Sequence, residues 1–277
     1  MGDDSDDAKQ PESVAAVLKV FAILQALSER NETGISELSV RLARPKATVY
    51  RSLQTMKTLG YVRQEVDSQR YGLSMRVFEI GAKALQYPDL IEIAKPHMQR
   101  LSEDTGETVH LGMLIDSEII CVHKVDSRHT LGMVSKIGRR APLHCTGIGT
   151  GIGKVLMAWS SPSHRDSVLK GCDFKRFRDN TITTRAEFDA ELERTLAQGF
   201  GQDREEFDEH IRCAAIPIFD RASQVVAGIS VSFPSFRYDL AREPELVANL
   251  AEASRDTSRQ LGCSNFPLGT AAVAGRP

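Results

Sequence analysis

No apolar run in the 277 residues approaches the length of a membrane span. The opening decapeptide MGDDSDDAKQ is acidic and polar, the reverse of the basic-then-apolar order of a secretory leader. A cytoplasmic protein is expected. Cysteine is sparse: Cys121, Cys145, Cys172, Cys213 and Cys263 form no C-x-x-C pair, which argues against a disulfide framework and a zinc ribbon. Strong charge of one sign is missing too. A net charge of -2 does not suit a chain that coats nucleic acid indiscriminately. With 41% hydrophobic and 26% charged residues, the length is enough for two domains with their own cores.

The glycine-rich run HCTGIGTGIGKVL at 144–156 lacks a phosphate loop's spacing. A P-loop needs glycine five residues before the Gly-Lys pair and Ser or Thr after it, and those positions hold Ile148 and Val155. Counted from Gly147, the dinucleotide fingerprint would put its third glycine on Ile152. What remains is a tandem repeat, Thr146-Gly147-Ile148-Gly149 followed by Thr150-Gly151-Ile152-Gly153.

Charge is uneven along the chain. Residues 41–70 carry Arg41, Arg44, Lys46, Arg51, Lys57, Arg63 and Arg70 against Glu65 and Asp67. Before them, Val14, Val17, Leu18, Phe21, Leu24 and Leu27 recur at helical steps, predicting a helix over 13–29 packed along that stripe. A short helix with Ser36 as N-cap buries Leu38 and Leu42. Pro45 suits the first turn of a third helix, with Val49, Leu53 and Met56 inward. YVRQEV and RYGLS read as a hairpin around a polar turn. This is the order of a winged helix-turn-helix. Its candidate DNA-binding residues are Lys46, Thr48, Tyr50, Arg51 and Gln54 on the third helix and Arg70 on the hairpin, where Arg63 also offers charge to phosphate. Two alternatives stay open: a solvated basic helix in a protein-binding domain, and Tyr50 half-buried against the hairpin. A helix over 75–86, with Val77, Phe78, Ala82 and Leu85 on one side, reads as a linker and suits packing against its twin in a dimer.

The remainder alternates strands and helices. Strands are expected at TVHLGML, EIICVHKVD, LGMVSKI, IRCAAIPIF and VVAGISVSF. Helices are expected near 90–102, over KVLMAW, over SHRDSVLKG, after the capping box at Thr184, and over 244–261. The domains divide as an acidic tail 1–12, the winged helix-turn-helix 13–74, the linker 75–88, an α+β domain 89–264 and a tail 265–277. Catalytic chemistry finds little support. His144 and Cys145 are strand neighbours pointing apart, whereas Cys121 and His123 are spaced to share a face. Neither pair has the base and orienting group of a nucleophile, which keeps a cysteine-dependent enzyme as the rival reading. The acidic run Asp203, Glu205, Glu206, Asp208 and Glu209 reads as solvated charge, and neither metal nor cofactor is expected. Ser230 and Ser232 share one side of an otherwise apolar strand, and their hydroxyls call for partners that a small polar ligand would supply.

The runs SVAAVLKVFAILQAL, ATVYRSLQTMKTLGYV, IGRRAPLHCT, GIGKVLMAW and IRCAAIPIFD, then AGISVSFPSFR, resemble the IclR family of transcriptional regulators from Ser13 to Gly262. The likeness is greatest to the branch governing pectin breakdown and 2-keto-3-deoxygluconate use. It implies a winged helix on double-stranded operator DNA, a GAF-like α/β effector domain, and dimers or dimers of dimers. It also implies a repressor released by a small-molecule effector, here a 2-keto sugar acid; a regulator answering another organic or aromatic acid is the alternative. The family's pocket residues fall on Gly151, Ile152, Asp203, Cys213, Ser230 and Ser232, with Met133 as an apolar wall. Relatives have one short small-residue stretch where this chain has two TGIG units. Counting on from His144 puts Gly147-Ile148 at the helix start and counting back from Lys154 puts Gly151-Ile152 there; the second is preferred because helix packing fixes the lysine side, and the amides of that start would receive an effector carboxylate.

Overall fold

The structure, a computed structural model, describes residues 14–30, 32–83, 89–130, 135–144 and 150–268. The chain forms two compact units, residues 1–88 and 89–277.

In the first unit, α1 (Ala15–Glu29), α2 (Ile35–Arg41) and α3 (Lys46–Thr58) precede a hairpin of β1 (Val62–Gln64) and β2 (Tyr71–Leu73), and α4 (Met75–Lys83) follows. Ile23, Leu27, Leu38, Val49, Leu53, Met56, Val62 and Tyr71 form its core. Two local expectations change. Gly34, not Ser36, is the N-cap position of α2, and Pro45 caps α3 instead of entering its first turn. The packed side of α1 is also different: Val20, Ile23, Leu24, Ala26 and Leu27 face the core, while Val14, Val17, Leu18 and Phe21 are each at least half exposed. Periodicity locates an apolar face without saying what meets it. On α4, Met75, Phe78 and Ile80 are more than half exposed.

The second unit is built on a six-stranded antiparallel sheet. Its strands are β3 (Thr108–Ile115), β4 (Glu118–Val125), β5 (Arg140–Pro142), β6 (Gly201–Arg204), β7 (Ile211–Phe219) and β8 (Val225–Pro234), in the order β5-β4-β3-β8-β7-β6. α5 (Leu90–Thr105) and α9 (Glu243–Gln260) pack together over one face. α6 (Thr150–Ala158) lies on the other face with α8 (Arg185–Gln198) behind it, and α7 (Pro162–Leu169) connects them. The Thr184 capping box starts α8 and Gly199, at positive φ, ends it. Of the strand expected over 131–137, residues 131–134 lie outside the described residues and 135–137 are not strand; β5 lies further on. β6 has no counterpart among the expected strands, because four residues are too few for an alternation to register.

Small residues let α6 lie flush on the sheet. A Cβ on Gly151 would come within 2.6 Å of the Ala215 Cβ, and one on Gly228 within 2.9 Å of Ile152. One on Gly153 would collide with the Leu143 carbonyl oxygen. Gly153→Ala is therefore expected to lower unfolding stability by roughly 3 kcal/mol, because backbone and not a flexible side chain must yield. Thr184→Ala, which only opens the capping box, should lose about 1 kcal/mol. Urea titrations followed by circular dichroism rank the two, and equal losses would count against close packing at Gly153.

Candidate functional site

Strand register collects the candidate pocket residues. Opposed residues of an antiparallel pair share a face, as do alternate residues along a strand. Asp203 pairs with Cys213, Cys213 with Ser232, and Ser232 with Thr108, forming one row across four strands. Two residues along, Gly201, Ala215, Ser230, His110 and Lys124 form a second row. Both rows lie on the face that carries α6, as the contacts of Gly151 with Ala215 and Gly201 show. Thr108, His110, Cys213, Asp203, Ser230 and Ser232 are all buried. The first turn of α6 meets this polar ground: the Gly151 amide donates to Cys213 Sγ at 3.4 Å. Gly151 and Ile152 thus occupy the helix start, while residues 145–149 with the other TGIG unit, and Met133, lie outside the described residues.

Within the rows, Asp203 Oδ1 accepts the Glu206 amide at 3.0 Å. Ser232 Oγ lies 3.2 Å from His110 Nδ1, and His110 Nε2 lies 2.8 Å from Ser135 Oγ. Ser230 Oγ is buried with no hydrogen-bond partner among the described residues. An orphaned buried hydroxyl costs free energy unless something occupies the space before it. Burial raises the Cys213 thiol well above its usual range, and Asp203 adds to the shift, so the group stays neutral and is not a nucleophile. His110 was not legible as a candidate, although its signal is of the same kind as the serines': with Thr108 it puts polar groups on alternate positions of a buried strand.

Lys154 holds α6 in place. Fully buried, its Nζ donates to Glu191 Oε1 at 3.0 Å, Glu206 Oε1 at 2.6 Å and the Gln202 carbonyl at 2.7 Å. Arg194 closes on the outer side of Glu191. This is a structural ion cluster, not a phosphate lysine.

Cys121 and His123 do not come together. A bulge in β4 pairs Cys121 with Gly112 but His123 with Leu111, which puts the two on opposite faces, contrary to their spacing. The Cys121 thiol donates instead to the His123 carbonyl at 3.4 Å, and burial pushes it up to about 11. His144 is buried beside Phe174, its Nε2 3.0 Å from the Lys175 carbonyl oxygen, and Cys145 lies outside the described residues.

On the first unit, α3 presents Lys46 and Arg51, both exposed and with no side-chain partner among the described residues. Thr48 is half-buried and Tyr50 is 48% exposed. Two candidates are already engaged. Gln54 Nε2 donates to the Tyr71 hydroxyl at 3.0 Å, fastening β2 to α3. Arg70 donates to the Glu32 carbonyl at 2.9 Å and pairs with Glu37 at 3.0 Å, tying the hairpin to α2. Arg63 pairs with Glu65.

A winged unit with a basic α3, and a second unit whose helix start lies against buried hydroxyls, suit a ligand-responsive DNA-binding protein. The chain belongs to the IclR family: residues 16–66 match the IclR helix-turn-helix domain and residues 82–259 the bacterial transcriptional regulator IclR C-terminal domain. It is 48% identical to the HTH-type transcriptional regulator KdgR of Escherichia coli K12, over 95% of this chain and 99% of that one. It is 49% identical to the KdgR of Dickeya chrysanthemi, over 95% of this chain and 85% of that one. The crystal structure of Thermotoga maritima IclR superposes with a TM-score of 0.74 at 28% identity, covering 89% of this chain and 98% of that one. The chain is accordingly a transcriptional regulator with a DNA-binding and an effector-binding domain, and not an enzyme. No described helix is long and apolar enough to cross a membrane.

His110 also gives the fold a pH dependence. Burial, then the charge of Lys124, lowers its pKa from 6.5 to about 4, with Arg139 in the same direction and Asp126 opposing. Between those values the unfolded chain binds the proton that the folded chain refuses, so stability rises with pH across the window. The contribution, about 3 kcal/mol, is complete above about pH 6.5 and is lost as pH falls through about 4. Urea unfolding at about pH 5 and 7 should show a smaller difference for His110→Asn than for the parent; identical differences would contradict the assignment.

Proposed function

We propose that this chain is a repressor of sugar-acid and pectin catabolism genes, which binds operator DNA through α3 and leaves it when a small 2-keto sugar acid such as 2-keto-3-deoxygluconate enters the second unit. The observation that carries the ligand reading is Ser230, whose buried hydroxyl has no partner among the described residues and sits in the row beside the α6 start. Amides at a helix start suit a carboxylate, and hydroxyls suit the oxygens of a polyol acid. The sugar-acid class is supported by the 48% and 49% identity to two KdgR regulators over nearly the whole chain. Gly151, Ile152, Asp203, Cys213, Ser230 and Ser232 line the site in this reading, with Met133 as its apolar wall.

Self-association fits the apolar side chains left exposed on α1 and on α4, which a monomer gains nothing by displaying. A dimer also matches two operator half-sites, one recognition helix to each.

Ser230→Ala separates binding from folding. Removing an unsatisfied hydroxyl should leave stability unchanged or slightly raised, while weakening 2-keto-3-deoxygluconate binding by about 1 kcal/mol or more. Calorimetry on free and operator-bound protein should also show weaker ligand binding to the complex, by roughly 1–3 kcal/mol. Equal affinities in the two states would defeat the effector role.

For DNA, Arg51→Ala should weaken operator binding by roughly 1–3 kcal/mol and scrambled DNA much less, as expected for a direct base contact. Arg70→Ala and Gln54→Ala, which cut the hairpin's ties to α2 and α3, should instead lower the melting temperature of the unit and reduce binding to both sequences alike. Mobility-shift titrations check the pattern; uniform losses for Arg51→Ala would show that it meets phosphate and not bases.

A further inference from the structure

We propose that His110 is a positioning residue of the effector site: through a proton relay from Lys124 and Ser135, it presents Ser232 to the ligand as a hydrogen-bond donor. The inference rests on the effector reading above and adds to it the polarity of one ligand contact.

The wiring follows from the donor inventory. Lys124 Nζ donates to the Ser135 carbonyl at 2.6 Å, lies 3.5 Å from Ser135 Oγ, and is held from behind by Asp126 at 2.6 Å. An ammonium has protons and no lone pair, so Ser135 Oγ turns a lone pair to it. The Ser135 proton then points to His110 Nε2, 2.8 Å away. With Nε2 accepting, the neutral imidazole carries its proton on Nδ1 and donates to Ser232 Oγ at 3.2 Å. One of the two lone pairs of Ser232 Oγ is thereby used, and its proton, not spent on His110, is left for the ligand. The opposite tautomer would direct two donors at Ser135 Oγ, leave the Ser135 proton without an acceptor among the described residues, and consume the Ser232 proton.

The placement is not incidental. His110 is paired with Lys124 on one side and Ser230 on the other, and stands diagonal to Ser232, so the sheet itself aligns the relay. Burial keeps the imidazole neutral, which a two-ended relay requires because an imidazolium has no acceptor. A donor hydroxyl near the Gly151 amide, itself a donor, suits the oxygens of a carboxylate or an adjoining keto group. His110 touches no ligand in this scheme and acts through Ser232.

Long-range 1H–15N spectra of the full chain, between about pH 5.5 and 8, should show the His110 proton on Nδ1 throughout. A proton on Nε2 overturns the relay without any variant. Calorimetry with 2-keto-3-deoxygluconate then compares the parent, His110→Leu, His110→Asn, Ser232→Ala and the His110→Leu/Ser232→Ala pair. His110→Leu should weaken binding roughly tenfold, whereas His110→Asn, whose amide replaces the Nδ1 donor, should stay within about threefold of the parent. Once Ser232 is alanine, His110→Leu should have no further effect, since a positioning residue cannot act through a group that is gone. Additive losses in the pair, or parent-like affinity for His110→Leu, would refute the relay while leaving the effector reading intact. A parent that binds no sugar acid would remove the effector reading and this inference with it.

Discussion

The close seating of α6 on the sheet is the constraint from which the second unit's other features follow. Gly151, Gly153, Gly201 and Gly228 are glycine because a Cβ at any of them would strike the helix, the sheet or the chain leading to α6. The same approach brings the Gly151 amide to Cys213 and aims the helix start along a row of polar side chains. Lys154, three residues on, fixes the helix in rotation and depth by meeting Glu191, Glu206 and a β6 carbonyl in the interior. A buried lysine is tolerated only with such complete pairing, and the pairing in turn dictates where α8 and β6 lie.

That arrangement sets the glycine-rich run ending in Gly-Lys apart from a phosphate loop. In a P-loop the lysine reaches out to phosphate, whereas here it points inward to the carboxylates of Glu191 and Glu206. Two runs of glycines ahead of a helix can look alike over a few residues and diverge in what the lysine does.

Within the DNA-binding unit, some polar side chains are tied into the architecture and others are left exposed. Arg70 and Gln54 hold the hairpin to α2 and α3, while Lys46 and Arg51 project without partners among the described residues. A wing steadied by its own ion pair needs fewer contacts with DNA to keep its shape. The basic excess of residues 41–70 therefore overstates the charge available to phosphate, since pairing removes a share of it.

The winged helix-turn-helix order, the Thr184 capping box, the long paired strands and the shared face of Ser230 and Ser232 could all be read from the sequence, because each depends on periodicity or on a cap a few residues long. Tertiary structure alone decided the rest. Which apolar side of α1 is buried depends on what packs there: of the stripe beginning at Val14, Leu24 and Leu27 reach the core while Val14, Val17, Leu18 and Phe21 stay exposed. A single bulge in β4 set Cys121 and His123 on opposite faces, although spacing put them together. His110 gained its meaning only when register placed it between Lys124 and Ser230, residues distant in the chain, and Lys154 only when Glu191 and Glu206 closed on it. Local patterns record how a segment presents its side chains; the partner each side chain meets is settled by strand register and helix depth, which belong to the folded chain as a whole.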